Sequence, residues 1–208
     1  GVTLEESGWR SYEDKPVKLS VLVNAENPFR VRVAETVVRY LGYYGIQAEV
    51  ETVEPEALLA LKPFAPEMLN DRDALVGIRC FDAPVYDLAR QFRAADRVVV
   101  AAPFWDLTFP AALRTYIEYI SAVGLTYHYT EAGCCGDCAA QWLVYLTSGG
   151  DVEREDSVGV IHWRQLAAMF GIPQFDYVFA GGLDSSPDTA GETLAAACAL
   201  AENLAKTL

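Results

Sequence analysis

Short apolar runs alternate with longer amphipathic segments along most of the chain. Val17–Val23 and Arg97–Ala102 are largely apolar and rich in β-branched residues, which is typical of strands that are buried on both faces. In Pro110–Val123, apolar residues recur every three or four positions instead, which predicts a helix with one buried face. Strands that alternate with helices in this way predict an α/β protein with a parallel sheet.

The pattern predicts five strands and five main helices. The predicted strands are 17–23, 46–53, 97–102, 142–146 and 177–180. The predicted helices are 30–44, 85–94, 110–123, 157–170 and 187–206. We expect these elements to form one three-layer, doubly wound domain over residues 1–208, with a five-stranded parallel sheet in the flavodoxin-like order 2-1-3-4-5.

Two segments stand outside this alternation. Residues 1–16 are expected to form an N-terminal extension. Glu54–Pro84 is rich in proline and acidic residues, and we predict a long excursion with one short helix near Glu56–Leu61. Loops of this length inside a compact domain are usually functional or used in association, so the excursion is a candidate for contacts in a dimer.

The predicted strand order places three loops around one crevice. Ligands of open α/β sheets bind at the carboxyl ends of the strands, where the strand order reverses. In the order 2-1-3-4-5 that point lies between the first and third strands, so Asn24–Pro28 and Pro103–Thr108 flank it. The loop after the fourth strand, Thr147–Gly150, is expected to form the far wall.

The loop after the third strand carries two adjacent aromatic residues. Phe104 and Trp105 follow the apolar run, and the carboxylate of Asp106 comes next. The rings can pack against a flat ligand whose polar edge binds backbone N–H groups. The same residues are equally compatible with a strand-to-helix loop that packs into the core, so the pattern alone leaves both interpretations open.

Composition and charge narrow the classes of partner. The 208 residues are 52% hydrophobic, which is enough for one well-buried domain. The formal net charge of −13 opposes binding to a phosphate backbone, and no basic patch counteracts it, so we expect no nucleic-acid partner. No apolar run approaches the ~20 residues of a membrane span, and the first residues lack the apolar stretch of a signal peptide. We therefore expect a cytoplasmic protein without membrane contacts.

The five cysteines do not suggest a disulfide framework, because their number is odd and the chain is large. Cys134, Cys135 and Cys138 are clustered, and we predict that they form the turn of a small hairpin that begins with Thr126–Thr130. The cluster contains one C-x-x-C spacing, but no second pair or histidine follows at metal-ligand spacing. We expect no metal site, and a structural role is favoured over a redox pair.

Four stretches in the second half of the chain share their order and spacing with a known family. They are APFWDL at 102–107, PAALRTYI at 110–117, GLTYHYTEAG at 124–133 and TSGG at 147–150. Together they resemble the FMN-dependent NADH azoreductases and NADH:quinone oxidoreductases, which are flavodoxin-like flavoproteins. The resemblance implies an enzyme that binds FMN and takes electrons from NADH or NADPH. It implies two-electron hydride transfer through flavin N5 to quinones, azo compounds or similar flat aromatic acceptors, with ping-pong kinetics. It also implies a homodimer with its active sites at the subunit interface.

The resemblance assigns flavin contacts to two of the predicted loops. The residues expected to line the flavin are Pro103, Phe104, Trp105, Asp106, Leu107, Ser148, Gly149 and Gly150. The family usually has an asparagine where Asp106 stands. A carboxylate accepts a hydrogen bond but cannot donate one as an amide does, and its charge opposes the charge of a reduced flavin.

The loop after the first strand departs from the family pattern. Family members carry serines there, whereas this loop reads NAENPFRVR at 24–32 and contains no Ser or Thr. The residues that remain as candidates for binding the FMN phosphate are Asn24, Asn27, Arg30 and Arg32. Asn27 can cap the next helix, whose first amides favour an anion, whereas Glu26 repels one. Two alternatives therefore stay open: phosphate binding here, or a flavodoxin-like binding module that has lost or weakened FMN binding.

The chain has two histidines, and only one is a candidate for catalysis. His128 lies in the predicted hairpin, where it either projects toward the crevice and donates to substrate or flavin, or faces solvent. The solvent-facing alternative is favoured. His162 lies in the middle of a predicted helix, so a core or dimer contact is favoured over catalysis.

Overall fold

The computed structural model describes residues 2–4, 10–12, 15–16, 19–23, 60–151 and 157–207. The strands, in chain order, are β1 (Val2–Leu4), β2 (Arg10–Tyr12), β3 (Lys15–Pro16), β4 (Leu19–Val23), β5 (Arg97–Pro103), β6 (Tyr127–Thr130), β7 (Gly133–Gly136), β8 (Trp142–Ser148) and β9 (Gln174–Ala180). The helices are α1 (Pro66–Gly77), α2 (Asp87–Ala94), α3 (Ala111–Ile120), α4 (Val158–Met169) and α5 (Ala190–Thr207). Short 3₁₀ turns at Pro84–Tyr86 and Pro187–Thr189 precede α2 and α5.

A parallel sheet in the order β4-β5-β8-β9 forms the centre of the described structure. Val23 lies opposite Ala101, and Ala101 lies opposite Leu146, so the carboxyl ends of these strands meet at one edge. The order agrees with the prediction for the first, third, fourth and fifth strands. The predicted strand 46–53 and the predicted helix 30–44 lie outside the described residues.

Helices cover both faces of this sheet. On one face, Val100 and Tyr145 of the sheet belong to the same buried cluster as Ile117 of α3 and Trp163 of α4. On the other face α5 packs against β9, and Ala201 and Ala205 of this helix are buried. Strands buried on both sides explain why β5 and β8 are apolar without alternation. The layering expected for a doubly wound α/β fold is thus present in the described part of the chain.

The helices differ in how much of their apolar face they bury. The predicted inner face of α3 is confirmed, since its four residues are all buried; they are Leu113, Tyr116, Ile117 and Ile120. In α5, by contrast, Leu194 and Cys198 are only half-buried, and they line a cavity against the sheet. None of the helices that the structure describes is long and apolar enough to cross a lipid bilayer.

The excursion between the second and third predicted strands contains a helix that the sequence pattern did not predict. The short helix expected near 56–61 lies mostly outside the described residues, and α1, from Pro66 to Gly77, is a further helix of twelve residues. Periodicity failed here because α1 is mostly exposed and carries no apolar stripe; its one buried residue is Arg72. Pro66 in the first turn followed by Glu67 was the available signal for its start.

Arg72 fastens the excursion to the end of α3. Its guanidinium donates to the carbonyl oxygens of Glu118, Tyr119 and Ser121 at 3.0, 3.3 and 2.8 Å. These carbonyls belong to the last turn of α3, where the helix leaves its acceptors unpaired. The guanidinium also lies 4.8 Å from the ring centroid of Phe64, a cation–π contact. One buried cation therefore caps α3 and holds the preceding segment against it.

The hairpin differs from the prediction in one respect. We expected the cysteine segment to be its turn, but Cys134 and Cys135 lie in the return strand β7, and residues 131–132 make the turn. The two glycines of β7 have different roles, and Gly133, beside the turn, has a φ of 119°. A Cβ on Gly136 would collide with the backbone of Gly171 at the end of α4, so glycine permits close packing there.

Candidate functional site

A strained turn follows β5 at the carboxyl edge of the sheet. The N–H of Thr108 donates to the carbonyl oxygen of Trp105 at 2.8 Å, which closes a four-residue turn. Its two central residues, Asp106 and Leu107, have φ of 49° and 65°. Positive φ at both positions defines a type I′ turn, which glycine and asparagine usually occupy. A leucine in this conformation is unusual and costs free energy, so the turn has a defined shape that its sequence does not favour.

Backbone hydrogen bonds join the loops after β5, β8 and β9 into one wall. The N–H of Phe104 donates to the carbonyl of Ser148 at 2.9 Å, and the N–H of Gly149 donates to the carbonyl of Ala180 at 3.0 Å. The N–H groups of Asp184 and Ser185 both donate to the carbonyl of Gly150 at 3.0 Å. The predicted grouping of Pro103–Leu107 with Ser148–Gly150 therefore occurs in the structure, and a third loop supports it.

The two aromatic residues of the first loop have different surroundings. Phe104 is half-buried and meets Phe179 edge-on, with ring centroids 5.4 Å apart. Trp105 is 56% exposed, and Leu107 is 66% exposed. The core interpretation therefore applies to Phe104, whereas contact of the other residues with a flat ligand stays a prediction. Phe104 packs inward as a structural residue, whereas Trp105 and Leu107 present apolar surface at the edge of the sheet.

Several backbone donors at this edge have no protein acceptor. Among the residues that the structure describes, the N–H groups of Trp105, Asp106, Leu107 and Gly150 donate to no acceptor. Residues 105–107 are exposed, so water or a ligand can accept hydrogen bonds from their N–H groups. Donors grouped beside an exposed indole suit a flat ligand with a polar edge.

The two glycines after β8 are required for close packing of the loops. A Cβ on Gly149 would lie 3.3 Å from atoms of both Phe104 and Phe179. A Cβ on Gly150 would collide with the carboxylate of Asp184. The glycine pair thus lets the three loops approach one another at the carboxyl edge of the sheet.

Asp184 and Phe179 belong to this site and were missed from the sequence. Both follow from the last strand: Phe179 lies near the end of β9, and Asp184 lies four residues beyond it. The available signal was the rule that ligands of open α/β sheets lie at the carboxyl ends of the strands. Applied to β9 as it was to β5 and β8, the rule would have included the loop after Gly181.

His128 belongs to the hairpin, where its partner is Asp137. Its Nδ1 lies 2.8 Å from Asp137 Oδ2, and its side chain is 44% exposed. This position agrees with the favoured prediction of a solvent-facing histidine. His128 as a catalytic residue stays a prediction, since the hydrogen bonds that join the three loops do not include the hairpin.

His162 packs between α3 and α4. Its ring lies 5.5 Å from the ring of Phe109, and its Nε2 lies 3.5 Å from Nη1 of Arg114. Burial lowers the pKa of His162, and the charge of Arg114 lowers this pKa further. A histidine held neutral between two helices fits the favoured prediction of a packing role.

The candidates for phosphate binding, Asn24, Asn27, Arg30 and Arg32, lie outside the described residues. The strand that precedes them, β4, ends at Val23 beside Ala101 of β5. No group of three or more His, Cys, Asp or Glu side chains within the described ranges is arranged to hold a metal ion.

Comparison with known proteins agrees with this architecture. A family model described as a flavodoxin-like fold matches residues 20–204. The crystal structure of an azoreductase from Bacillus anthracis superposes with a TM-score of 0.76 at 25% identity, covering 92% of this chain and 99% of that chain.

Two curated relatives match part of the sequence. An FMN-dependent NADH:quinone oxidoreductase of Clostridium acetobutylicum is 39% identical over 108 residues, which is 50% of this chain and 54% of that protein. One from Clostridium beijerinckii is 34% identical over 125 residues, which is 59% of this chain and 63% of that protein. The chain therefore spans between about half and two thirds of the length of these relatives. The motif resemblance and the family match agree, and we conclude that the chain belongs to the family with the flavodoxin-like fold.

Proposed function

We propose that this protein is an FMN-dependent NADH:quinone oxidoreductase that also reduces azo compounds or similar flat aromatic acceptors. The observation that carries the proposal is the edge formed by Trp105–Leu107 and Gly150, where an exposed indole stands beside backbone N–H groups without protein acceptors. The names of the curated relatives and of the azoreductase from Bacillus anthracis support the same activity.

The described residues fit FMN at this edge. An isoalloxazine ring is flat, with one apolar and one polar edge, and the site offers Trp105 and Leu107 beside unpaired N–H donors. Gly149 and Gly150 let the loop after β8 lie close to the loop after β5, so backbone N–H donors from both loops lie at the same edge of the sheet. When bound, FMN would accept a hydride from the nicotinamide at N5 and pass two electrons to the acceptor.

The protein residues would bind, orient and shield the reactants. The exposed face of Trp105 provides a stacking surface, and the strained turn fixes the position of that surface. Backbone dipoles at Asp106, Leu107 and Gly150 would stabilise negative charge that develops on the ligand. Donor and acceptor would use the same surface in turn, which gives ping-pong kinetics.

The phosphate of the cofactor would be held by the segment that follows β4. Because β4 ends beside β5, this segment begins at the same edge of the sheet. We propose that Asn27 and the arginines Arg30 and Arg32 bind the phosphate there, with Asn24 at the start of the loop. We further propose that the predicted strand 46–53 pairs with β4 and completes a five-stranded sheet.

We propose NADH as the electron donor, because the names of both curated relatives specify NADH. The loops of the site also carry three carboxylates, those of Asp106, Asp151 and Asp184. The 2′-phosphate that distinguishes NADPH would be repelled by such a rim.

We propose that the protein works as a homodimer. Val158 and Ile161 lie on one side of α4 and are 55% and 40% exposed. A Cβ on Gly159, between them in sequence, would lie 3.4 Å from the carbonyl oxygen of Thr108, so this end of α4 adjoins the loop of Trp105 and Leu107. Exposed apolar side chains on α4 and on the adjoining loop are typical of a surface that a second copy covers.

A titration of the purified chain with FMN tests the proposal. We expect the flavin absorption bands to shift and flavin fluorescence to be quenched with saturation at one FMN per chain. A chain that leaves both signals unchanged at high FMN concentration would instead support a flavodoxin-like module that has lost the cofactor.

A further inference from the structure

A cysteine, a histidine and an aspartate share one face of the β6–β7 hairpin. Cys135 lies directly opposite His128 in the antiparallel register. Directly opposed side chains project from the same face, with Cβ atoms about 4.5–5.5 Å apart. Asp137 follows Cys135 by two residues and contacts His128 from that face.

The contact with Asp137 orients the imidazole. His128 Nδ1 lies 2.8 Å from Asp137 Oδ2, so Nδ1 is the protonated nitrogen and donates to the carboxylate. The proton on Nδ1 leaves Nε2 as the basic nitrogen. Asp137 is itself held in place, because Arg93 Nε donates to its carbonyl oxygen at 3.2 Å. The imidazole is therefore presented in the tautomer that can accept a proton from a neighbouring group.

The thiol of Cys135 has a second polar neighbour. Its Sγ lies 3.7 Å from the hydroxyl oxygen of Thr130, which is on the same face of the hairpin as His128. A cysteine side chain has a single χ angle, so Sγ can take other staggered positions on the face that Cys135 shares with His128. The residue is half-buried, which leaves room for a small reagent.

The other clustered cysteines lack this arrangement. Burial raises the pKa of the Cys138 thiol to about 12, and Cys138 Sγ donates to the carbonyl oxygen of Thr126 at 3.6 Å. Cys134 is exposed on the opposite face of the hairpin, where its Sγ lies 4.0 Å from the carbonyl oxygen of Met169. Cys134 therefore serves as an internal reference for a thiol of the same hairpin without a neighbouring base.

We propose that Cys135 is a nucleophilic modification site for soft carbon electrophiles, with His128 as its base and Asp137 as the residue that positions His128. The quinone is the electrophile of this class that the protein would meet, and that part rests on the proposed function.

In the reaction with a quinone, Sγ forms a bond with an unsaturated ring carbon while the C=C electron pair moves toward a carbonyl oxygen. The thiol proton passes to His128 Nε2 and then to that oxygen. The ring hydrogen shifts to the second oxygen, which gives a hydroquinone thioether without any added oxidant or reductant.

Alkylation rates at individual cysteines test the site without FMN or NADH. The full chain is treated briefly with iodoacetamide or iodoacetate, and the labelled peptides are quantified by mass spectrometry. We expect His128→Gln to slow labelling of Cys135 about tenfold and to leave Cys134 unchanged. An imidazolium beside the sulfur also favours the anionic reagent, so the iodoacetate-to-iodoacetamide ratio should be higher at Cys135 than at Cys134 and should fall in the variant. The proposal would be overturned if the Cys135 labelling rate of His128→Gln stayed within twofold of the wild-type rate. It would also be overturned if the labelling rates of Cys135 and Cys134 fell together.

Variants of Asp137 separate positioning from folding. Asp137→Asn should slow the alkylation of Cys135 and lower its iodoacetate-to-iodoacetamide ratio. Asp137→Glu should retain most of the rate and most of the ratio. Equal effects of the two variants would contradict a positioning role. A final arm uses 1,4-benzoquinone, for which we expect the adduct on Cys135. An adduct confined to Cys134 would refute the quinone assignment, and this outcome is independent of whether FMN binds.

Discussion

Leu107 has a backbone conformation that packing does not explain. Its φ is 65° and its side chain is 66% exposed, so no buried contact offsets the strain. Non-glycine residues in this region carry a cost of about 1–3 kcal/mol and are concentrated at ligand sites. In this conformation the N–H groups of Asp106 and Leu107 have no acceptor within the described part of the chain. The strain is accounted for if those donors are used by a bound cofactor.

Replacement of Trp105 tests whether the exposed indole contacts that cofactor. Trp105→Ala should weaken FMN binding or raise the KM of the acceptor roughly fivefold, because an aromatic contact contributes about 1 kcal/mol. Fluorescence titration and steady-state kinetics measure the two quantities. Ile78→Ala is the control, since Ile78 is 74% exposed at the end of α1. Unchanged FMN affinity together with an unchanged acceptor KM would remove Trp105 from the site.

The lowered pKa of His162 predicts a loss of stability in acid. Burial and Arg114 disfavour the charged imidazole in the folded protein, so the unfolded chain binds this proton at higher pH. The contribution of the neutral His162 side chain to stability is therefore lost as the pH falls below the ordinary histidine pKa of 6.5. Denaturant unfolding at several pH values should show a smaller decrease toward pH 5 in His162→Gln than in the wild type. Identical pH dependence in the two proteins would contradict this role.

At the scale of elements, the sequence predicted what apolar periodicity can report. The inner face of α3 is an example, because Leu113, Tyr116 and Ile117 recur at helical spacing and are all buried. The aromatic loop was located for the same reason, since an apolar strand ends there. Periodicity did not predict α1, whose one buried residue is Arg72, or β7, which begins and ends with glycine. The positive φ of Leu107 was also beyond prediction, because leucine gives no local signal for it.

Arg72 is predicted to be the main attachment of α1 to the rest of the fold. Arg72→Met should lower the free energy of unfolding by about 2–3 kcal/mol, because the variant removes three charged donations and leaves buried carbonyls unpaired. Chemical denaturation measures this change.

The control for this variant is Arg79→Met, which removes the same charge from an exposed position after α1. The control should change stability by less than about 0.5 kcal/mol. The free energy of unfolding of Arg72→Lys should lie between those of the two Met variants, because an ammonium group cannot reproduce the planar hydrogen-bonding geometry of the guanidinium. Equal stability of Arg72→Met and Arg79→Met would show that α1 is held in another way.

At the scale of the whole molecule, the apolar surface of α4 predicts self-association. Ile161→Glu should shift the protein from dimer to monomer, because it places a charge in a surface that the second copy would bury. Sedimentation or light scattering at fixed concentration reports the mass. The matched control is Leu200→Glu on α5, which is 49% exposed in the wild type. A wild-type protein that is monomeric, or an Ile161→Glu variant that is still dimeric, would contradict this interface.

We propose above all that the strained edge after β5 binds FMN for electron transfer between NADH and a quinone. The most direct measurement is anaerobic reduction of the FMN-loaded protein, followed at the flavin absorption bands. We predict that NADH bleaches these bands and that a quinone, added afterwards in an amount equal to the reduced flavin, restores them fully. A two-electron carrier that releases one substrate before it binds the next requires this result. Bands that NADH leaves unbleached, or that the quinone does not restore, would contradict the account.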